Sequence, residues 1–231
     1  MTARETVRVA GPDAAAYLQG QISQDVDALA PGDTAWSLVL QPTGKVDAWF
    51  RIHRLDPEAF LLDVDSGFRE TLLRRLQRFL LRTDAVIEAT DESIDAPIEW
   101  PGLDDPTDER QRILAGLPRM GNELTADTIP GEGGQRLIDL SVSFTKGCYT
   151  GQELVARIDS RGGNVPRPIR ILQASADIAI GDEVRVDDDV VGTVSSAAGD
   201  VALAALKRKV EIGDQVDVAG VPAAVIEPAG S

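Results

Sequence analysis

The feature that most limits how this chain can fold is a change of texture at Pro166-Arg167-Pro168. Downstream of it, short Val/Ile/Ala runs alternate with acidic and glycine turns at Gly181-Asp182-Glu183, Asp187-Asp188-Asp189 and Ala219-Gly220. That spacing belongs to a small β-barrel. Upstream, strands read from period-two alternation are interleaved with helices. Between Asp84 and Glu109 lie ten acids and no Lys or Arg, with Pro97, Pro101 and Pro106 interrupting. The segment reads as exposed connecting structure. The expected organisation is a region of mixed strands and helices over residues 1–165, divided near 84–110, and a β-barrel over 166–231.

The cysteine count narrows the chemistry. With one cysteine and one histidine in 231 residues, the chain can build neither a disulfide framework nor a soft-metal cage. Its stability must come from an apolar core, and a 43% apolar fraction supplies one. A formal charge of −15 repels phosphate backbones, so broad non-specific nucleic-acid binding is not expected. The opening MTARETVRVAG has neither a signal core nor a transit pattern, and no run reaches the length of a membrane span. A soluble cytoplasmic protein is the expectation.

Thr6 to Ala10 alternates as a short strand, and Gly11-Pro12-Asp13 then starts a helix through Leu18. Ala35–Leu40 and Val46–Leu55 form a hairpin about the turn Gln41-Pro42-Thr43-Gly44. Alternation puts Val46, Ala48, Phe50 and Ile52 on one face of the second strand, and Lys45, Asp47, Trp49, Arg51 and His53 on the other. Trp49 either covers a neighbouring element or lines a pocket as a stacking plate. Ala59–Val64 is a further strand. Ser66 is expected to cap a helix to about Thr83 that carries Arg69, Arg74, Arg75, Arg78 and Arg82 against the single acid Glu70. That basic face attracts an anionic ligand or partner, or is a solvated face neutralised by nearby acids. A helix over Glu109–Ala115 follows, then an irregular stretch.

The most informative run is Phe144 to Arg157. Thr150 and Glu153 have the spacing of a capping box, which predicts a helix from Thr150, with Glu153 and Arg157 as an i, i+4 pair. Cys148 then precedes a helix N-terminus and follows Lys146 by two residues. Both influences stabilise a thiolate, which makes the cysteine nucleophilic or metal-competent. The competing reading is a small buried hydrophobe. Gly147 and Gly151 permit close approach of a flat ligand, or only make turns.

Lys146-Gly147-Cys148-Tyr149-Thr150-Gly151-Gln152-Glu153 resembles the signature of the YgfZ-type folate-binding proteins, which share a fold superfamily with the aminomethyltransferase (T-protein) of the glycine cleavage system. Leu18–Val26, Pro42–Lys45, Gly116-Leu117-Pro118, Glu123-Leu124-Thr125, Ile129–Glu132 and Val191–Ser196 support the resemblance in the expected order. It implies a GcvT-like ring of α+β subdomains around a central tetrahydrofolate channel, with a small C-terminal β-barrel. It also implies a part in assembly or repair of iron-sulfur clusters, tRNA-modifying enzymes among the clients, with a cluster carrier or client protein as partner. Carried onto this chain, Cys148 is the reactive or partner-facing thiol, and Lys146 and Asp47 stand with it as candidates for chemistry. Trp49, Arg51, Tyr149, Gln152, Glu153 and Arg157 are the candidates for holding folate. T-proteins carry an Asp pair after the hairpin glycines; here only Asp47 stands near, apparently out of register, and a one-residue slip moves a strand side chain to the opposite face. Two alternatives remain. One is a folate-dependent one-carbon transferase or demethylase using Asp47 and Glu153 as acid and base. The other is an interaction module docking acidic partners on the Arg-rich helix and Lys207-Arg208-Lys209.

Overall fold

The computed structural model describes residues 4–94, 108–160 and 162–229. Pro97, Pro101, Pro106, Arg161 and the first three residues lie outside them. β1 (Arg4–Ala10), β2 (Thr34–Leu40), β3 (Val46–Asp56), β4 (Ala59–Asp65) and β5 (Val86–Thr90) form one antiparallel sheet in the order β2-β3-β4-β1-β5. The hairpin is where alternation placed it. Gly44 closes its turn at φ 83°, a conformation that costs a Cβ-bearing residue about 1–2 kcal/mol.

One face of this sheet is covered by α1 (Ala14–Gln21) and α2 (Arg69–Gln77). Val7, Phe50, Phe60 and Leu62 interdigitate there with Leu18, Leu72 and Leu76, all fully buried. Burying each such side chain contributes about 1.5–3 kcal/mol. The other face packs Trp36, Leu38 and Trp49 against Leu117, Leu137 and Val155 from the second half of the chain. That half contributes α3 (Glu109–Leu114), a 3-10 turn at Pro130–Gly133, α4 (Gln135–Ser141) and α5 (Gln152–Ser160).

Four local expectations change. α2 starts at Arg69 with Phe68 at its N-cap, because Gly67 turns the chain at φ 90° and gives its N–H to Glu5 at 3.0 Å. Ser66 therefore caps nothing, and the helix stops at Gln77 instead of Thr83. The acid-rich segment is not all connection: Val86–Thr90 pairs with β1 as the sheet edge. The stretch after Gly116 holds α4. α5 begins at Gln152, and the Thr150–Glu153 capping box does not form. The Thr150 amide instead donates to Gly20 O at 3.2 Å, and Gln152 Oε1 accepts the Tyr149 amide at 3.2 Å.

β6 (Ile169–Ala174), β7 (Glu183–Val186), β8 (Asp189–Ala198), β9 (Val201–Ala205), β10 (Gln215–Val218) and β11 (Val221–Ile226) close into a barrel in the order β10-β11-β6-β9-β8-β7. Closure removes the unpaired edges that such short strands would otherwise expose. Its core is Leu172, Val184, Val194, Ala204 and Val218. α3 seats Ile113 on the outer residues Ile171, Val201 and Leu203. A buried carboxylate fixes the junction: Glu123 accepts from Ser195 Oγ (2.6 Å), Ser196 Oγ (2.7 Å) and the Arg119 amide (2.9 Å), with Arg112 at 3.5 Å. A buried acid persists only when its lone pairs are so filled.

Candidate functional site

Three segments distant in sequence meet around the run 146–153. Lys146 Nζ donates to the carbonyls of Ile22 and Gln24, both at 2.7 Å, and lies 5.2 Å from the Tyr149 ring centroid. Ser143 N bonds Ser23 O at 3.0 Å. Gly151 lies against the hairpin: a Cβ there would come within 2.6 Å of Gln41 O. A Cβ on Gly44 would likewise meet Leu154 at 2.5 Å. The loop is thus clamped between the segment after α1 and the β2–β3 turn. Burial pulls the Lys146 ammonium down to about 8, against the opposing charges of Asp25 and Asp27. Burial pushes the Tyr149 phenol up to about 12. Cys148 is exposed at the crest of this clamped loop, which sets aside the buried-hydrophobe reading. The later start of α5 leaves it further from the helix amides than the sequence implied.

The structure brings Lys146, Tyr149 and Gln152 together and separates the rest. Glu153 and Arg157 are exposed on α5 and pair at 3.9 Å. Asp47 does not share a face with Trp49 and Arg51. A bulge opposite Val39/Leu40 breaks the alternation, and Asp47 pairs with Arg75 of α2 at 3.5 Å. Burial raises the Asp47 carboxyl above its ordinary range, against the pull of Gln41, Arg75 and Arg78. Trp49 is the covering tryptophan of the two readings. Its ring lies 4.5 Å from that of Trp36, and Nε1 donates to Ser141 Oγ at 2.8 Å. Arg51 forms a buried ion pair with Asp63, which also accepts from Arg4 Nε at 2.7 Å. Asp65 joins through Arg4 at 2.8 Å. The sequence reading passed over these two acids, and the signal was present: Asp63 and Asp65 repeat at period two inside an otherwise apolar strand.

Two cavities adjoin the barrel, and Cys148 lines neither. The first, about 450 Å³, lies between α4, α5 and the start of β6. Its lining includes the apolar Ile138, Val155 and Ile158, the exposed Phe144 and Ile212, and the cations Arg170 and Arg208 together with the acids Asp159 and Glu211. The Arg170 Nε is buried with no hydrogen-bond partner among the described residues. The second, about 640 Å³, opens between residues 122–132 and β8. Its buried Glu123 is already engaged by the serines of β8, and its half-buried Glu132 by the amides of Ile129 and Arg167, both at 3.1 Å. No group of three or more His, Cys, Asp or Glu among the described residues could hold a metal, and no helix there is long and apolar enough to cross a membrane.

A five-stranded sheet backed by helices and joined to a closed barrel places the molecule among proteins with the fold of glycine-cleavage aminomethyltransferase T. The crystal structure of that protein from Bartonella henselae matches with a TM-score of 0.76 over 98% of this chain and 83% of the other, at 17% identity. Within that fold the chain is a sequence relative of the YgfZ and IBA57 proteins. It is 26% identical over 270 residues to tRNA-modifying protein YgfZ of Edwardsiella ictaluri, covering 87% of this chain and 81% of that protein. It is 25% identical over 221 residues to the mitochondrial iron-sulfur cluster assembly factor IBA57 homolog of Neurospora crassa, covering 70% of this chain but only 50% of that one. A Haemophilus influenzae protein without a functional description is 29% identical over 232 residues, covering 85% of this chain and 82% of its own. No family model matches the chain.

Proposed function

We propose that this protein binds tetrahydrofolate and acts as an accessory factor for iron-sulfur proteins, presenting Cys148 to a partner. The carrying observation is the clamped signature loop. Lys146, Gly151 and the Thr150 amide fix its backbone against two other segments, yet the thiol at its crest is exposed. A thiol held still and left open suits transfer to, or shared ligation with, a second protein. One thiol cannot hold a cluster alone. The relatives named for cluster assembly and tRNA modification support the same reading.

Tetrahydrofolate needs a flat apolar berth and a cationic end for its glutamate. Trp49, Arg51 and Tyr149, the berth expected from sequence, are built into the core and its ion pairs. The 450 Å³ cavity beside α5 fits better. Its volume lies within the roughly 300–1,000 Å³ of small-molecule sites, and it holds a buried guanidinium nitrogen with no partner among the described residues. Val155, Ile158 and Ile138 would hold the ring system, and Arg170 and Arg208 the carboxylates. When bound, the folate supplies a carrier for one-carbon units. The tie of Asp47 to Arg75, away from Trp49, weighs against the transferase alternative, which needs that carboxylate at a ligand. Calorimetric titration with tetrahydrofolate under reducing conditions tests the proposal, and absence of binding would sink it. Cys148→Ser should keep folate affinity and lose support of client iron-sulfur enzymes in complementation.

A further inference from the structure

We propose that the C-terminal end of α2, with the turn that follows it, is a docking surface for a partner-protein segment that combines carboxylates with a large apolar side chain. The proposal stands apart from the folate reading, and rests on the accessory-factor reading only for which protein that partner is. The basic helix divides in two. Arg69 pairs with Asp91 at 3.8 Å, Arg74 with Glu70 at 3.7 Å, and Arg75 with Asp47 at 3.5 Å. Those three are neutralised by nearby acids. Arg78 and Arg82 are both exposed and have no carboxylate partner among the described residues. The Asp13 carboxylate of the adjoining turn is taken up by the Asp84 amide at 2.8 Å. A cation at the end of a helix answers the helix dipole, which accounts for Arg78, but the effect fades beyond the last turn and does not reach Arg82.

Exposed apolar side chains gather at the same place. Of the six large hydrophobic residues exposed among the described ones, three, Phe79, Leu81 and Val86, belong to the short stretch 79–86, and Leu81 is 83% exposed. Arg75 and Arg78 lie over the Phe79 ring, 5.0 and 5.6 Å from its centroid. Gln77 Nε2 ties the helix end to Ile87 O at 2.9 Å, next to Val86. Uncovered apolar groups beside unpaired guanidinium groups have the make-up of an interface. The charge decides its partner. At −15 the chain repels a long polyanion, whereas a short acidic segment meets only the local cations, because screening limits the rest to about 8 Å. The surface also adjoins the signature loop. Arg75 donates to Leu40 O at 2.9 Å and to Gln21 Oε1 at 3.2 Å, while the loop bonds Gly20 O from the Thr150 amide and rests Gly151 on Gln41 O. A partner seated on α2 therefore docks next to the two segments that hold the Cys148 loop.

The experiment titrates the full chain, under reducing conditions and at low ionic strength, with a fluorescent synthetic peptide that alternates glutamate with leucine and phenylalanine. The same peptide with glutamine in place of glutamate is the control. Wild-type protein should prefer the glutamate peptide by about tenfold, and salt should erode that preference. In NMR the Leu81 methyl signals should move during the titration. Arg78→Gln and Arg82→Gly should each weaken the glutamate peptide about threefold, and Leu81→Ser should weaken both peptides about fivefold. Arg82 sits at φ 59°, a conformation glycine adopts freely, so its variant keeps the fold without strain. Arg185→Glu on the barrel should bind like wild type. Equal binding of the two peptides, binding that leaves Leu81 unmoved, or variants that bind like wild type overturn the proposal. So does a preference, through the same residues, for phosphatidylserine vesicles or a single-stranded oligonucleotide. Peptide docking without tetrahydrofolate binding brings down the folate reading alone, and tetrahydrofolate binding without peptide docking brings down this surface alone.

Discussion

Lys146 and Arg170 are both cations drawn out of water, and the protein treats them in opposite ways. Lys146 gives two hydrogen bonds, to Ile22 O and Gln24 O, while resting against Tyr149. Arg170 keeps a buried Nε with no acceptor among the described residues. The first arrangement is that of a clamp, whose donors meet acceptors within the fold although burial still lowers the ammonium to about 8. The second leaves a cost that only a ligand offsets. A charge near a signature motif is therefore not by itself a sign of binding; what separates structure from site is whether its hydrogen-bonding capacity is already filled.

The clamp side of this contrast gives the largest expected effects. Gly151→Ala forces a left-handed backbone on alanine and drives its Cβ against Gln41 O, so a loss of about 2–3 kcal/mol is expected in denaturant unfolding. An unchanged midpoint would mean that the loop is not seated on the hairpin. Lys146→Met orphans two carbonyls and should cost about 2 kcal/mol, with faster alkylation of Cys148 as the loop loosens. Unaltered stability and alkylation rate would remove the clamp from the account.

The pH dependence is smaller and has a definite sign. The Lys146 ammonium titrates near 8 in the folded chain and near 10.5 when unfolded. Below pH 8 both states hold the proton and the desolvation cost is fully felt. Between 8 and 10.5 only the unfolded state holds it, so this group makes stability rise with pH. The wild-type melting temperature should gain on that of Lys146→Met across that window; parallel curves would show that the ammonium is not desolvated. The smallest effect belongs to the site side. Arg208→Ala should leave stability within about 0.5 kcal/mol, because an exposed side chain of a ligand site supports no packing. A substantially lower melting temperature would turn Arg208 from a ligand group into a structural one.

Much of the fold was legible because its signals are local. The hairpin around Gln41–Gly44 follows from turn chemistry and alternation, and the barrel from the spacing of short strands after Pro168. The helix ends were less legible: Ser66 and Thr150 look like caps in sequence, but Gly67 and Gly20 redirect the amides involved. Of the site, Lys146, Tyr149 and Gln152 lie together in the clamped loop. Asp47 does not join Trp49, because a bulge is a property of strand pairing and leaves no mark on one strand alone. Arg170 could have been noticed as a cation inside an apolar strand, but its missing acceptor is invisible until the surrounding elements are in place.

The sequence alone determined the class of architecture, the absence of any disulfide within the chain, and the eight residues on which a functional reading rests, since each depends on composition, periodicity or a contiguous motif. Tertiary structure decided which charges are satisfied. It clamped Lys146 with carbonyls more than a hundred residues away, turned Asp47 toward Arg75, exposed Cys148, and left the Arg170 Nε beside a cavity with no partner among the described residues. The reason is physical: hydrogen-bond satisfaction and burial are properties of three-dimensional neighbours, and no residue carries its neighbours in its own identity.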